Sequence, residues 1–489
     1  MKKKIAGIIL FIIFTAGLIS SDYKNSLIKI DAADNTITAS QKTLGDFLGQ
    51  CPKSFFDNLP VNESFILWFE KKYGWDVLSG IALSVSEGNT DSQLWYEKTG
   101  SSIHVLWTEY CKSIGLSEGT ENLIYKEDDD GCVIIDFIGD INFDSGWGTM
   151  LKASQMDNGI NDCISQSVQE ELKSADISVL NNEFTYNKNG LALDGKEYTF
   201  AAYEENVSKL EIFSADLVNV ANNHVYDFGV EGFNDTLITL KNNGYEYVGA
   251  GNNLKEASAI KYYIVNGRKI AVVSATQIER YSDYTKAATA TEPGVLKIDN
   301  SGYVNSVIAK ADRNSDYVIV IVHWGTEGNI KYDDEQQGLA EQFVNAGADA
   351  IIGGHPHRLQ GVSYIDDAPV FYSIGNFWFS NSKLYSTIAQ LKIDNNGKLS
   401  ARMIPCIMED YTTDIITDQA MYDDFYRYVA DLSSGVGFDH DGNMYNKGAG
   451  QETDAKGEAF VYSSEQSYRK HAGGFDLIGR KIDIVGNIN

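Results

Sequence analysis

Proline is scarce in this chain, with 6 among 489 residues, which excludes Pro-rich stalks and extended linkers. Cysteine is scarce as well: Cys51, Cys111, Cys132, Cys163 and Cys406 are scattered, odd in number and never spaced as CxxC. That excludes a zinc ribbon or a thioredoxin-like redox centre. Cys51 and Cys111 share the N-terminal region and can pair after export, whereas Cys132, at the start of an apolar run, reads as a small core residue. Positive charge is short, with 40 Lys and Arg against 68 Asp and Glu, for a formal net charge of −28. Such a surface repels phosphate backbones and anionic membranes, so nucleic acid is not an expected partner. Long apolar runs are missing apart from residues 5–19, and even that run is short of the roughly 20 residues a spanning helix needs.

What is present fits a folded, exported protein. Hydrophobic residues make up 43% and charged residues 22%, enough for a core and too little charge for a disordered chain. Lys2, Lys3 and Lys4 precede the apolar run at 5–19, the arrangement of a secretory signal or N-terminal anchor over residues 1–21. The bulk is then expected outside the cytoplasmic membrane, secreted or anchored at its outer face. Residues 22–130 read as a polar tether followed by a helical domain, with Phe65, Leu67, Trp68 and Phe69 and then Ile103, Leu106, Trp107 and Tyr110 at helical spacings. His104 has no second ligand type near it and reads as structural or exposed. The acidic run EDDDG at 127–131 marks a boundary.

From 131 to 405 short β-rich runs alternate with amphipathic segments near 164–174, 203–213, 231–243, 302–312 and 334–347. That alternation predicts an α/β fold with a helix-covered sheet. Asn266-Gly267 between two β-rich runs predicts a hairpin. The segment 361–404 lacks intervening helices, so part of the sheetwork is expected to be antiparallel. Residues 406–489 read as an irregular C-terminal extension with one helix around 418–432.

The chemistry follows the apolar runs. Asp140 follows VIIDFIG, Glu183 follows ISVLNN, Asn223 and His224 follow LVNVAN, His323 ends YVIVIV, and His355 and His357 follow DAIIGG. Carboxyl ends of strands form the ligand crevice of open α/β sheets. Four of the seven histidines fall in this phase, which scattered core histidines would not do. Carboxylate, amide oxygen and imidazole without thiolate suit Mn, Fe or Zn, and six or seven donors suit two divalent ions better than one. GGHPHR (353–358) is the most specific segment: Gly353 and Gly354 permit close backbone approach, and His355 and His357 at i, i+2 can face one metal centre. The alternative is two surface histidines in a loop. ANNHVYDFG has its own alternative, an Asn-rich turn capping the next helix. Glu327 reads as an outer residue orienting a His or as an exposed one. Arg358 reads as a holder of an anionic substrate group or as an exposed Arg. Asn376, in GNFWF, reads as facing into the pocket or as plain core.

Taken in order, GDINF, NNEFT, ANNHVYDFGVEGF, GAGNN, VHWGTEGN, GGHPHRLQGV and FYSIGNFWFS resemble the CapA-type poly-γ-glutamate capsule biosynthesis proteins, a family similar to the calcineurin-like metallophosphoesterases. The resemblance covers about 131–405. It implies a four-layer α/β/β/α sandwich with a dinuclear site at one end. It also implies Asp140 and His357 on one metal, Glu183 as the bridge, His323 and His355 on the second metal, Asn223 as a metal-binding Asn, and His224 acting on the leaving group. Two departures stand out: Asn142 occupies a position where phosphoesterases have a ligand His, leaving it an outer role, and Glu183 replaces a bridging Asp. The implied partners are an anionic polymer such as poly-γ-glutamate and subunits of a membrane synthase. The implied activity is that of a metal-dependent hydrolase or transferase, or alternatively of a non-catalytic metal-binding assembly subunit.

Overall fold

A computed structural model describes residues 63–86, 93–116, 120–126, 131–278, 284–299 and 301–447. The expected leader and tether, Cys51 and the acidic run at 127–130 lie outside the described residues. The chain divides into two compact units, Met1–Glu121 with Gly267–Lys269, and Asn122–Asn266 with Ile270–Asn489.

The first unit contains α1 (Glu63–Tyr73), α2 (Trp75–Ser86), α3 (Gln93–Thr99) and α4 (Ile103–Ser113). Ser102 caps α4 by accepting from the Val105 amide, satisfying one of the unpaired donors of the first turn. Phe65, Phe69, Leu78, Trp95, Leu106 and Tyr110 form its core, where the ring of Phe65 meets that of Trp107 at 5.5 Å and that of Tyr110 at 5.6 Å. His104 is half-buried on α4.

The second unit is built on two sheets. The eight-stranded sheet contains β2 (Val133–Ile141), β3 (Ile177–Asn182), β4 (Leu217–Asn219) and β5 (Glu246–Val248) in parallel; β12 (Asn376–Trp378) pairs alongside β2. On the other flank β13 (Leu384–Ile393) runs antiparallel to β2 and to β14 (Leu399–Glu409), which pairs with β15 (Thr412–Ile415). The seven-stranded sheet has the order β1 (Leu123–Lys126), β6 (Lys261–Val265), β7 (Arg268–Thr276), β8 (Tyr317–His323), β9 (Ala350–Gly354), β11 (Ala368–Phe371) and β10 (Val362–Ile365). Asn266 and Gly267 join β6 to β7 with φ of 47° and 67°, the two positive values a type I′ hairpin turn needs.

Side-chain alternation turns these sheets into layers. Val133, Ile135 and Phe137 of β2 pack with Ile270 and Val272 of β7 and Ile319 and Ile321 of β8, so the sheets meet face to face. On the outer face of the first sheet, Ile138 and Leu180 pack with Val168 and Leu172 of α5 (Gln166–Ser174) and with Phe233, Leu237 and Leu240 of α6 (Gly229–Asn242). On the outer face of the second, Val318, Val320 and Val322 pack with Val304 and Ile308 of α7 (Ser301–Asp312) and with Leu339 and Phe343 of α8 (Asp334–Asn345). The result is the four-layer α/β/β/α sandwich.

Several expectations need adjusting. β1 enters the seven-stranded sheet ahead of the acidic run, so sheetwork begins before residue 131. The boundary drawn at 405 falls within β14, and α9 (Gln419–Leu432) buries Phe425, Tyr426 and Val429 in the inter-sheet core. Beyond 405 the described chain is therefore part of the sandwich rather than an irregular extension. The segment near 203–213 is a 3-10 helix, closed by Ser214 at a φ of 50°. Cys132 is half-buried with its thiol toward Asn395, while Cys163 and Cys406 are the buried thiols of the outer core. Among the described residues no helix is long and apolar enough to cross a membrane.

One acid sits in the outer core. Asp136 points from β2 toward α5 and accepts from Gln390 Nε2 at 3.0 Å, and burial pushes its carboxyl up to about 7. The folded state therefore holds a proton that the unfolded chain releases near 3.8. Stability from this group is present below that value and is lost as pH rises toward 7. The stability of Asp136→Asn relative to the native protein should rise between pH 4 and 7 and then level off, measured by denaturant unfolding at each pH. A flat difference would mean Asp136 ionises normally in the fold.

Candidate metal centre

Parallel strands place their carboxyl ends on one edge, and in this sandwich the two edges face the same rim. Asp140 lies at the end of β2, beside a register shift between Ile138 and Asp140. The preceding Gly139 has no room for a side chain: a Cβ there would lie 1.8 Å from the Gly375 carbonyl oxygen. That contact brings Asn376 of β12 into register with Asp140. Glu183 follows β3. His323 ends β8, in register with Gly354 on β9 and Thr276 on β7.

His355 and His357 leave β9 on either side of Pro356 with φ of 94° and 55°. Non-glycine residues in this region carry strain of about 1–3 kcal/mol each, kept only where surrounding contacts over-determine the backbone. Gly353 does approach closely, but to a neighbouring segment: its Cβ would meet the Tyr372 carbonyl oxygen at 2.1 Å. Gly354 faces the site, where a Cβ would lie 3.3 Å from Asp140 Oδ1 and 3.5 Å from His323 Nδ1.

The side chains converge. Ligand atoms of Asp140, Glu183 and His357 lie within 4.8 Å of one another, as do those of Glu183, His323 and His355. Glu183 is common to both sets. Its Oε1 is 3.4 Å from His323 Nε2 and 3.7 Å from His357 Nε2, and His357 Nδ1 is 3.2 Å from Asp140 Oδ2. His355 and His357 thus fall in different sets, with ring centroids 6.0 Å apart, rather than facing one centre together. Asn223 joins the second set, with His323 Nε2 donating to its Oδ1 at 2.8 Å.

The donor set fits divalent cations. Asp140 Oδ2, Glu183 Oε1, His323 Nδ1 and His355 Nδ1 are buried without a well-formed hydrogen bond, a costly state for polar atoms. Burial pushes His323 down to about 3, and burial together with the neighbouring histidines holds His355 well below its usual range, so both rings are neutral near pH 7 with lone pairs to give. Burial raises Glu183 well above the ordinary carboxylate range, helped by the charge on Asp140. Burial would also raise Asp140, but His357 and His323 outweigh it and hold Asp140 low. His357 is the reverse: burial would lower it, and Asp140 holds it up.

His224 stands beside these sets. Its Nδ1 meets Asp227 Oδ2 at 2.8 Å, which leaves Nε2 for other work, and its ring lies 4.5 Å from that of Phe200. Asp227 is fully buried, with Oδ1 2.8 Å from Lys196 Nζ. Lys196 also donates to the Asn223 carbonyl at 2.5 Å. The sequence reading missed both Asp227 and Lys196. Asp227 lies within ANNHVYDFG, three residues after His224, while Lys196 sits in an irregular stretch with no local signal. The Asn-rich turn does exist, but Asn222 makes it, accepting from the His224 and Val225 amides; α6 begins at Gly229 with no side-chain cap.

The remaining expected residues lie as follows. Asn376 is buried and accepts from His357 Nδ1 at 2.7 Å, so it faces a histidine. Arg358 is half-buried and donates to the His357 carbonyl at 2.8 Å, which braces the loop. Asn142 is buried, its Oδ1 accepting from the Asp144 amide at 2.7 Å, away from a ligand role. Glu327 is exposed, and among the described residues no hydrogen bond joins it to a histidine; its charge nevertheless helps raise His357.

The fold and site are those of a four-layer α/β/β/α sandwich whose strand ends gather buried carboxylates and imidazoles compatible with divalent metals. Residues 134–381, which contain the whole cluster, match the family described as bacterial capsule synthesis protein PGA_cap, and the chain belongs to that family. It is 33% identical over 282 residues to the PGA biosynthesis protein CapA of Bacillus subtilis, an alignment covering 56% of this chain and 72% of that one. It is 32% identical over 250 residues to the capsule biosynthesis protein CapA of Bacillus anthracis, covering 49% and 60%. Among solved structures it shows distant likeness to a phosphatase from Mycoplasma pneumoniae, with a TM-score of 0.37, 14% identity and coverage of 57% of this chain and 95% of that one. A 5'-nucleotidase from Candida albicans gives a TM-score of 0.31 at 12% identity, covering 55% and 51%.

The approach at Gly139 yields a direct test. Gly139→Ala forces β2 away from Gly375 and should cost roughly 1–3 kcal/mol, the range for overpacking a filled site. Chemical denaturation would check it, and an unchanged midpoint would show that the two backbones separate freely.

Proposed function

We propose that this chain acts outside the cytoplasmic membrane in the synthesis, export or anchoring of a poly-γ-glutamate-type capsule, as a metal-dependent hydrolase or transferase. The observation that carries it is the pair of buried donor sets sharing Glu183. Asp140, Glu183 and His357 would hold one divalent ion, and Glu183, Asn223, His323 and His355 a second. Mn, Fe and Zn all suit this donor mixture. Such ions supply Lewis acidity toward an ester, amide or phosphoryl oxygen and a nucleophile at neutral pH.

The chain's own residues do the rest. Asp227 orients the His224 ring by accepting from Nδ1, so that Nε2 can take up a proton and pass it to the leaving group. Phe200 packs against the imidazole, its ring tilted 44° to it. The capsule role is supported by family membership and by the names of the Bacillus relatives. Export is supported by Lys2–Lys4 ahead of the apolar run at 5–19. An anionic polymer and a membrane synthase are the partners this reading names.

A second reading, a non-catalytic metal-binding subunit of the synthase, is favoured by Asn142. It stands where phosphoesterases have a ligand histidine, and its oxygen is committed to the Asp144 amide.

Metal analysis of purified protein, followed by turnover of phosphodiesters and of poly-γ-glutamate, separates the two. The catalytic reading expects His224→Ala to keep its metal and lose activity by roughly 10²–10⁴-fold. Equal inertness of native and variant protein, both metal-loaded, leaves the assembly role.

A further inference from the structure

Behind the two carboxylates lies a chain of amides that none of the site residues above includes. Asn181, on β3, donates from Nδ2 to Asp140 Oδ1 at 2.7 Å and to Glu183 Oε2 at 3.4 Å. Its Oδ1 accepts from Asn219 Nδ2 at 2.8 Å and from Asn222 Nδ2 at 3.0 Å. Asn219 Oδ1 in turn accepts from Ser274 Oγ at 2.5 Å and from the Ala221 amide at 3.1 Å. Ser274, Asn219, Asn222 and Asn181 are all buried. The chain runs from β7 of one sheet to the carboxylates at the edge of the other.

Its direction is fixed by chemistry. A flipped Asn181 amide would set its oxygen against two carboxylates and its NH2 against two NH2 groups. Only one orientation satisfies all four contacts. With that orientation set, each carboxylate has one oxygen occupied. Asp140 keeps Oδ2 and Glu183 keeps Oε1 without a well-formed hydrogen bond, and these are the oxygens that face the histidines.

We propose that Asn181 is a positioning residue that selects which oxygen of Asp140 and of Glu183 faces the histidines, and so leaves Glu183 Oε1 as the oxygen common to the two donor sets. This rests on the metal-site reading above. Asn181 would touch no cation itself; it acts through the two carboxylates, and its neutrality matters as much as its donors. A cation at this position would compete with the ions for the same carboxylates, and an acid would add a third negative charge.

The test uses the full chain stripped of metal and titrated with Mn²⁺, followed by calorimetry and by the exchange-coupled electron paramagnetic resonance signal of a Mn²⁺ pair. Asn181→Asp keeps the shape and the two accepted bonds but removes the donors. Asn181→Leu removes both functions at similar volume. Both should weaken Mn²⁺ uptake by roughly 10–100-fold, the range for residues that orient metal ligands, and should lose the coupled signal. Thermal melting of the metal-free proteins reports whether the variants fold.

Should neither fold, Asn219→Ser, one link back, leaves Asn181 and both carboxylates in place but loosens the amide, and a weaker, uncoupled Mn²⁺ pair is expected. Native affinity and coupling in a folded Asn181 variant, or in Asn219→Ser if that is the one that folds, overturns the proposal. A native protein that binds no Mn²⁺ pair fails in a different way: it removes the metal-site reading, and this inference with it.

Discussion

Two carboxylates that no water reaches, brought within reach of the same histidines, are the constraint to which the rest of this structure answers. Like charges repel strongly at low effective dielectric, and each buried acid also loses its hydration. The fold responds by pushing the two apart in proton affinity, Asp140 down beside His357 and Glu183 up. His357 completes the compensation, raised by the same carboxylate it stabilises. Without cations this is a strained arrangement, with orphaned oxygens and neutral imidazoles facing one another. Divalent cations between the two donor sets would offer those atoms partners. Burial of a costly group is seldom kept for stability alone, and here the cost falls on the atoms best suited to bind metal.

The sandwich explains why the donors are mixed. The eight-stranded sheet contributes Asp140 and Glu183 from the ends of β2 and β3, and Asn223 from the turn after β4. The seven-stranded sheet contributes His323 from β8 and His355 and His357 from the turn after β9. Because the sheets pack face to face, neither set is complete without the other. Small residues permit the convergence. Gly139 lets β12 lie against β2, and Gly353 lets β9 lie against the segment at Tyr372. The positive φ values at His355 and His357 turn two neighbouring side chains into separate sets, which extended backbone at i, i+2 would not do.

Much of this was legible in the sequence because strand ends are marked locally. An apolar run that stops at Asp140, at His323 or before His355 announces both the strand and the rim, and the helices between the runs follow their amphipathic period. The boundaries near 131 and 405 were not legible, because β1 and the strands past 405 owe their place to pairing with distant segments rather than to local pattern. The outer contacts were also hidden. Lys196 lies in an irregular stretch, and only the fold brings it to Asp227. Asn181 looks like any polar residue after a strand until Asn219 and Asn222 fix its amide. For Asn376 and Arg358 the motif left two readings open each, and only the fold shows that both hydrogen-bond to His357, Asn376 at its ring and Arg358 at its carbonyl.

Charge makes the final link between the cluster and the kind of molecule the proposed reading assigns to it. The chain carries a formal −28, so an anionic polymer meets a repulsive surface on approach. Among the described residues, Lys196 near the rim is paired with Asp227 and donates to the Asn223 carbonyl, and Arg358 donates to the His357 carbonyl. Neutral His323 and His355 add nothing positive near pH 7. His357, raised by Asp140, is compensated by that same carboxylate, so bound divalent ions, the largest local charges a site of this kind can hold, would be the main source of attraction for a polyanion at this rim. On the proposed reading, metal loading would govern substrate capture as well as chemistry, because it would reverse the sign of the potential at the rim of an otherwise acidic surface.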